Sequence, residues 1–138
     1  MLKQRYKRKF WEIGSSECEG DLERGDTMNI RYERQLKRGV LEILVLKLIS
    51  KEPTYGYQLL SDMDMKSHGL LKIKEGTLYP ILYRLEDDGL IESCWSIPKD
   101  KDMSKKYYVI TDLGKETLGE LIELWESFNL AINHIISE

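Results

Sequence analysis

Glu75-Gly76-Thr77-Leu78-Tyr79-Pro80-Ile81-Leu82-Tyr83-Arg84-Leu85-Glu86-Asp87-Asp88-Gly89-Leu90-Ile91 carries a helical period directly into a strand signal. Leu78, Ile81, Leu82 and Leu85 share one helical face and leave Thr77, Tyr79, Tyr83 and Arg84 nearer the other. Pro80 has no N–H and suits only a first turn, which places the helix start near Gly76 or Thr77; Gly89 supplies a left-handed stop. The element is about three turns long. It reads as a recognition helix feeding a wing, with an outer face suited to a DNA groove.

Upstream, the pattern is helical from about Tyr32 to Ser50, and between Val40 and Ile49 only Glu42 and Lys47 are polar. A helix apolar nearly all round needs cover on more than one side, one from its own domain and one from a partner subunit. Pro53 ends it, and Thr54 is placed to cap a second helix whose inward stripe is Gly56, Leu59, Leu60 and Met63. Ser67-His68-Gly69 breaks that helix, and Leu70 to Ile73 is expected to pair briefly as a strand. Three helices in this order make a helix-turn-helix core.

Downstream, Leu90 to Ile97 favours strand, with Ile91, Trp95 and Ile97 on one face and Glu92, Cys94 and Ser96 on the other. A turn-rich loop over 98–104 leads to a second strand, Lys105 to Ile110, and the two form a hairpin wing. Thr111 then caps a last helix, Asp112 to about Ile136, roughly 37 Å long. A small domain cannot cover that length alone. Leu118, Leu121, Trp125, Phe128, Ile132 and Ile135 step by three and four, the spacing of an a/d seam, and point to a homodimer. Ile122, Leu124 and Ile136 widen the stripe, so the helix is also expected to pack on the first helix, its own or its partner's.

The fold class is therefore mainly α with a small β-hairpin: a winged helix-turn-helix over residues 28–110 and a C-terminal dimerisation helix over 111–138. Residues 1–27 are expected to form a loosely ordered extension, because Gly14, Gly20 and Gly25 interrupt any period and no apolar stripe emerges. Met28 is a plausible physiological start, with the preceding segment a translated leader. The competing reading is a real arm that adds a helix or a DNA contact through Lys3, Arg5, Lys7, Arg8 and Lys9.

At 138 residues and 41% hydrophobic, the chain can bury one core. Its longest apolar run is interrupted by Glu42, so no membrane span is expected, and no export signal precedes it. Cys18 and Cys94 lack metal or dithiol spacing, consistent with a reduced cytoplasmic chain without metal or cofactor. His68 and His134 have no metal-spaced companions. No Gly-rich phosphate loop, Cys/His pair or carboxylate pair supports an enzyme. The net charge of −3 runs against nucleic-acid binding, yet its distribution does not. Asp112, Glu116, Glu120, Glu123, Glu126 and Glu138 oppose only Lys115 in the last helix, while Arg31, Arg34, Lys37 and Arg38 cluster early and Lys99, Lys101, Lys105 and Lys106 precede the second strand.

These residues resemble the PadR family of bacterial transcriptional regulators. The match rests on Tyr55-Gly56-Tyr57, on Glu75-Gly76-Thr77-Leu78-Tyr79-Pro80, on Leu85-Glu86-Asp87-Asp88-Gly89-Leu90-Ile91, and on Lys106-Tyr107-Tyr108-Val109-Ile110-Thr111-Asp112-Leu113-Gly114, in that order. It covers roughly Leu36 to Phe128. The resemblance implies a winged-helix homodimer that binds an inverted repeat in double-stranded DNA, usually as a repressor released by a small molecule. Carried over by position, Thr77, Tyr79, Tyr83 and Arg84 would contact DNA, with Tyr55 near the phosphates and Lys99, Lys105 and Lys106 on the backbone. Asp100 and Asp102 stand where family wings often have a Gly-Arg-rich tip. Trp125 falls where some members place a tryptophan that sandwiches planar ligands between subunits, which implies an effector site there.

Without the resemblance, Arg84 reads equally as a surface charge or a partner of Glu86, Asp87 or Asp88, Tyr79 and Tyr83 as packing residues, and Trp125 as interface core. The competing function is a dimeric winged-helix module that binds a protein instead of DNA. Steep salt dependence of DNA binding separates the two.

Overall fold

The computed structural model describes residues 24–98 and 103–138, without the side chains of residues 24–29. Seven elements follow in order: α1 (Arg24–Lys51), β1 (Thr54–Tyr55), α2 (Gly56–Lys66), α3 (Glu75–Asp87), β2 (Ile91–Trp95), β3 (Lys106–Ile110) and α4 (Asp112–Ile136). The three strands form one antiparallel sheet in the order β1-β3-β2.

The core gathers one face of each helix. Leu41, Val45, Leu46 and Ile49 of α1 meet Leu59 and Met63 of α2 and Leu78, Ile81, Leu82 and Leu85 of α3; Leu90, Ile91, Tyr108 and Leu118 close it. All four apolar α3 positions read from the sequence are buried, as that spacing demands. Ile43, Leu44, Leu48 and Ile122 pack partly buried against the same cluster, and α1 contacts α4.

Several expectations need correction. Helix α1 is already formed at Arg24, the first described residue, upstream of the start expected near Tyr32, so the last four positions of the expected extension are helical; residues 1–23, with Cys18 and the basic arm, lie outside the described residues. Thr54 does not cap α2. It pairs with Tyr108 in β1, where a β-branched residue fits the pleat, and its buried Oγ1 finds no hydrogen-bond partner among the described residues. Tyr55, in extended conformation, takes the N-cap place without a side-chain bond. Leu70 to Ile73 forms no strand: the Leu71 N–H donates to Ser67 Oγ at 2.9 Å, while Leu71 and Ile73 turn into the core. Helix α3 starts at Glu75, which puts Pro80 beyond the first turn; Gly76, the residue whose carbonyl loses its helical donor, is exposed to water. Leu118 is 6% exposed inside the protomer's own core, and Leu121 packs against that core, so the seam expected to start at Leu118 is open to a partner only further along.

The end of α3 and the start of α4 are joined tightly. Gly89 (φ 76°) turns the chain in the left-handed region, with Leu90 N–H donating to Leu85 O at 2.9 Å and Gly89 N–H to Glu86 O at 3.0 Å. Thr111 caps α4 as expected, its Oγ1 accepting from Gly114 N–H at 3.0 Å, and its hydroxyl donates to Gly89 O at 2.7 Å. Gly114 is required by space, since a Cβ there would collide with the Leu90 carbonyl and lie 2.7 Å from Ile110 Cγ1. Gly114→Ala is expected to lower stability by about 1–3 kcal/mol through overpacking. Gly119→Ala, on the same helix with nothing within 4 Å, should raise it by about 0.5–1 kcal/mol. Denaturant midpoints of the two variants check the pair.

Candidate nucleic-acid interface

At 100° per residue, the direction opposite the buried stripe of α3 runs through Gly76, Pro80, Tyr83 and Asp87, all exposed. Thr77 and Arg84 lie on the flank facing α1; Tyr79 and Glu86 lie on the flank facing the sheet. The contacts agree. Arg84 donates through Nε and Nη2 to Glu42 Oε1 of α1, each at 2.8 Å, while Glu86 Oε1 accepts from Ser93 Oγ of β2 at 2.7 Å. Arg84 thus has a partner, but not among the neighbouring acids Glu86, Asp87 and Asp88.

Thr77 and Tyr83 are exposed on this surface. Tyr79 is half-buried; its ring lies 6.3 Å from that of Tyr83, and a Cβ on Gly56 would come within 2.7 Å of its hydroxyl. Gly56 therefore lets the start of α2 approach α3 closely. Beside Tyr79 opens a groove of about 540 Å³ lined by Tyr55, Gly56, Tyr57, Tyr79, Trp95, Lys105, Lys106 and Tyr108. Strand β2 runs along α3 from Ile91 in the core, through Ser93 at Glu86, to Trp95 in this groove.

Lys105 Nζ lies 4.5 Å from the centre of the Tyr55 ring and Lys106 Nζ 5.6 Å from that of Tyr108; Tyr55 also meets Tyr107 edge-on at 5.4 Å. The structure thus brings Tyr55, Tyr79, Lys105 and Lys106 together with Tyr83 beside Tyr79, and leaves Thr77 on the opposite flank of α3. Lys99 lies outside the described residues. Sequence reading missed Tyr57 and Trp95, which are 74% and 67% exposed at the groove. Strand alternation put Trp95 on the face of Ile91, but the core ends before it and Trp95 is left exposed. Lys72 and Lys74, exposed just ahead of α3, were also missed, although two lysines before a recognition helix are a legible signal.

The comparisons with known proteins agree with this architecture. Residues 45–120 match the family described as transcriptional regulator PadR-like. The chain belongs to the PadR-like family. This PadR-like chain is 38% identical over 88 residues to an uncharacterized protein of Lysinibacillus sphaericus, covering 64% of this chain and 80% of that one. It is 26% identical over 90 residues to the transcriptional regulator YqjI of Escherichia coli, covering 65% of this chain and only 41% of that longer protein. Among solved structures, a PadR family transcriptional regulator from Eggerthella lenta superposes with a TM-score of 0.71 at 32% identity, covering 80% of this chain and 94% of that one. A PadR-like regulator from Bacillus cereus gives a TM-score of 0.65 at 35% identity, covering 75% and 98%. The PadR-like chain is thus a winged-helix DNA-binding transcriptional regulator and not an enzyme. No helix among the described residues is long and apolar enough to cross a membrane.

Tyr108 forms the floor of the groove. Burial pushes its hydroxyl up to about 12, with Glu86, Tyr79 and Tyr83 adding repulsion of the phenolate. Because the folded state holds this proton more tightly than the unfolded chain does, the group costs no stability below pH 10.0 and stability falls as pH rises from there to about 12. Tyr108→Phe is expected to flatten that fall, as measured by denaturant unfolding across the alkaline range.

Proposed function

We propose that the protein is a homodimeric repressor that binds an inverted repeat, with residues 28–110 reading DNA and residues 111–138 pairing the subunits. The observation that carries this reading is the outer part of α4, where Trp125, Phe128, Ile132 and Ile135 remain 44%, 59%, 52% and 72% exposed at helical spacing. Covering one such side chain stabilises by about 1.5–3 kcal/mol, so a continuous stripe of them favours self-association. Exposed Tyr32 and Leu36 on α1 extend the uncovered apolar surface.

In such a dimer two copies of α3 stand about one DNA turn apart, roughly 34 Å, and enter successive major grooves. Thr77, Tyr79 and Tyr83 face the base edges. Tyr55 holds a phosphate at the start of α2, and Lys105 and Lys106, helped by Lys99, hold the backbone along the wing. Trp125, half-exposed on the pairing helix, offers an aromatic face to a planar effector. Such a ligand would release DNA only to the extent that it prefers a dimer geometry with the half-sites out of register.

Selection of bound fragments from host genomic DNA should return a near-palindrome, and gel-shift affinity for it should fall steeply with salt. Retention of no duplex at low salt by a stable dimer would instead favour a protein-binding module. Trp125→Ala with Phe128→Ala is expected to shift sedimentation toward the monomer. The same change should weaken operator binding by about tenfold or more, because the second half-site is no longer linked to the first. A double variant that stays dimeric would rule out this seam.

A further inference from the structure

Arg84 sits on the recognition helix, yet its guanidinium turns back to α1. Both Nε and Nη2 reach one carboxylate oxygen, Glu42 Oε1, at 2.8 Å. The two residues are 42 positions apart, so the bond ties separate helices and is no local helix pair. On the opposite flank, Ser93 Oγ of the wing donates to Glu86 Oε1 at 2.7 Å. Helix α3 is thus held by a polar tie on each side of its buried stripe.

A greasy stripe resists separation of two helices but resists rotation less well, because apolar contacts are non-directional. Charge-assisted bonds are directional and fix an angle. Rotation matters for this helix in particular. Gly76 and Pro80 occupy much of its outer face and carry no side chain able to reach a base edge by hydrogen bonding, so recognition falls to Tyr83 on that face and to Thr77 on its α1-facing margin. Turning the helix by a fraction of a residue step would move one margin out of reach.

We propose that Arg84 and Glu42 are positioning residues: their bond sets the rotation of α3 against α1 and so aims Thr77 and Tyr83, and Arg84 itself does not touch DNA. The inference rests on the DNA-binding reading above. It differs from the assignment of Arg84 by sequence position, which makes it a direct contact. Because both side chains are half-exposed, the tie contributes little to overall stability and its loss leaves a folded protein.

The test uses the full chain and the operator recovered by genomic selection. Failure of the wild type to bind any duplex would overturn the DNA-binding reading as a whole, and is told apart from every outcome below. Given wild-type binding, Glu42→Gln and Arg84→Ala are each expected to weaken operator affinity by about tenfold. Affinity for non-specific duplex and the salt slope should stay unchanged, since no phosphate contact is lost. The exchange Glu42→Arg with Arg84→Glu restores the tie with its polarity reversed and is expected to return operator affinity to within about threefold of wild type. An exchange no better than Arg84→Ala would overturn the proposal, because a carboxylate beside a phosphate repels. So would a salt slope reduced by about one in Arg84→Ala, or single variants that bind like wild type.

Discussion

Thr111 holds the molecule's two working ends in a fixed relation. Its N–H donates to the Leu90 carbonyl at 3.0 Å, its hydroxyl donates to the Gly89 carbonyl at 2.7 Å, and its Oγ1 accepts from Gly114 N–H. Gly89 ends the recognition helix, Leu90 leads into the wing, and Gly114 lies in the first turn of the last helix. Three elements therefore meet at one residue, with Gly114 small enough to let α4 lie against Leu90. Through this junction, whatever sets the direction of α4 also sets that of α3, because close-packed and hydrogen-bonded joints transmit displacement instead of absorbing it.

The groove beside α3 depends on a similar economy of space. Gly56 admits Tyr79, and Tyr79 with Trp95 and Tyr108 makes an aromatic wall rimmed by Lys105 and Lys106. Strand β1 is only two residues long, yet it is what draws the start of α2 to the wing, through Thr54 paired with Tyr108 and Tyr55 with Tyr107. Without that pairing, Tyr55 and Tyr57 would not share a groove with residues of the hairpin.

What the sequence made legible follows the range of the forces involved. The bounds of α4, the left-handed stop at Gly89, the Thr111 cap and the buried stripe of α3 depend on neighbours within a turn, and each was read correctly. The misreadings depend on distant partners. Thr54 has the chemistry of a cap but was captured by β3, and Leu70 to Ile73 has strand-forming residues but is bound back to Ser67 and turns Leu71 and Ile73 into the core. Arg84 was given acids one turn away as its local partners, whereas the carboxylate it meets lies on another helix. Leu118 carries the heptad spacing of the seam yet falls over the core, because periodicity gives a face and not the point at which a domain's edge leaves it bare. The groove aromatics were separately visible; their convergence depended on folding.

Charge explains why dimer geometry should matter so much to a chain of this composition. With a net charge of −3, it sets Lys72, Lys74, Lys105 and Lys106 near the reading face, while Asp87 and Asp88 stand at the end of α3. The acids Glu116, Glu120, Glu123 and Glu126 are carried on the exposed part of α4. Counterion release, which supplies most of non-specific affinity, then rests on the few phosphate contacts that one protomer's lysines can make, and two protomers together double them. A weak half-site contact becomes a strong complex only when a second is tethered at the right span, since linkage multiplies the two and fails when the geometry forbids both. An acidic regulator of this fold is therefore more sensitive to the angle between its pairing helices than a strongly basic one would be. In a dimer that angle would reach the recognition helix through the Thr111 and Gly114 junction and through the packing of α4 on α1 and the shared core.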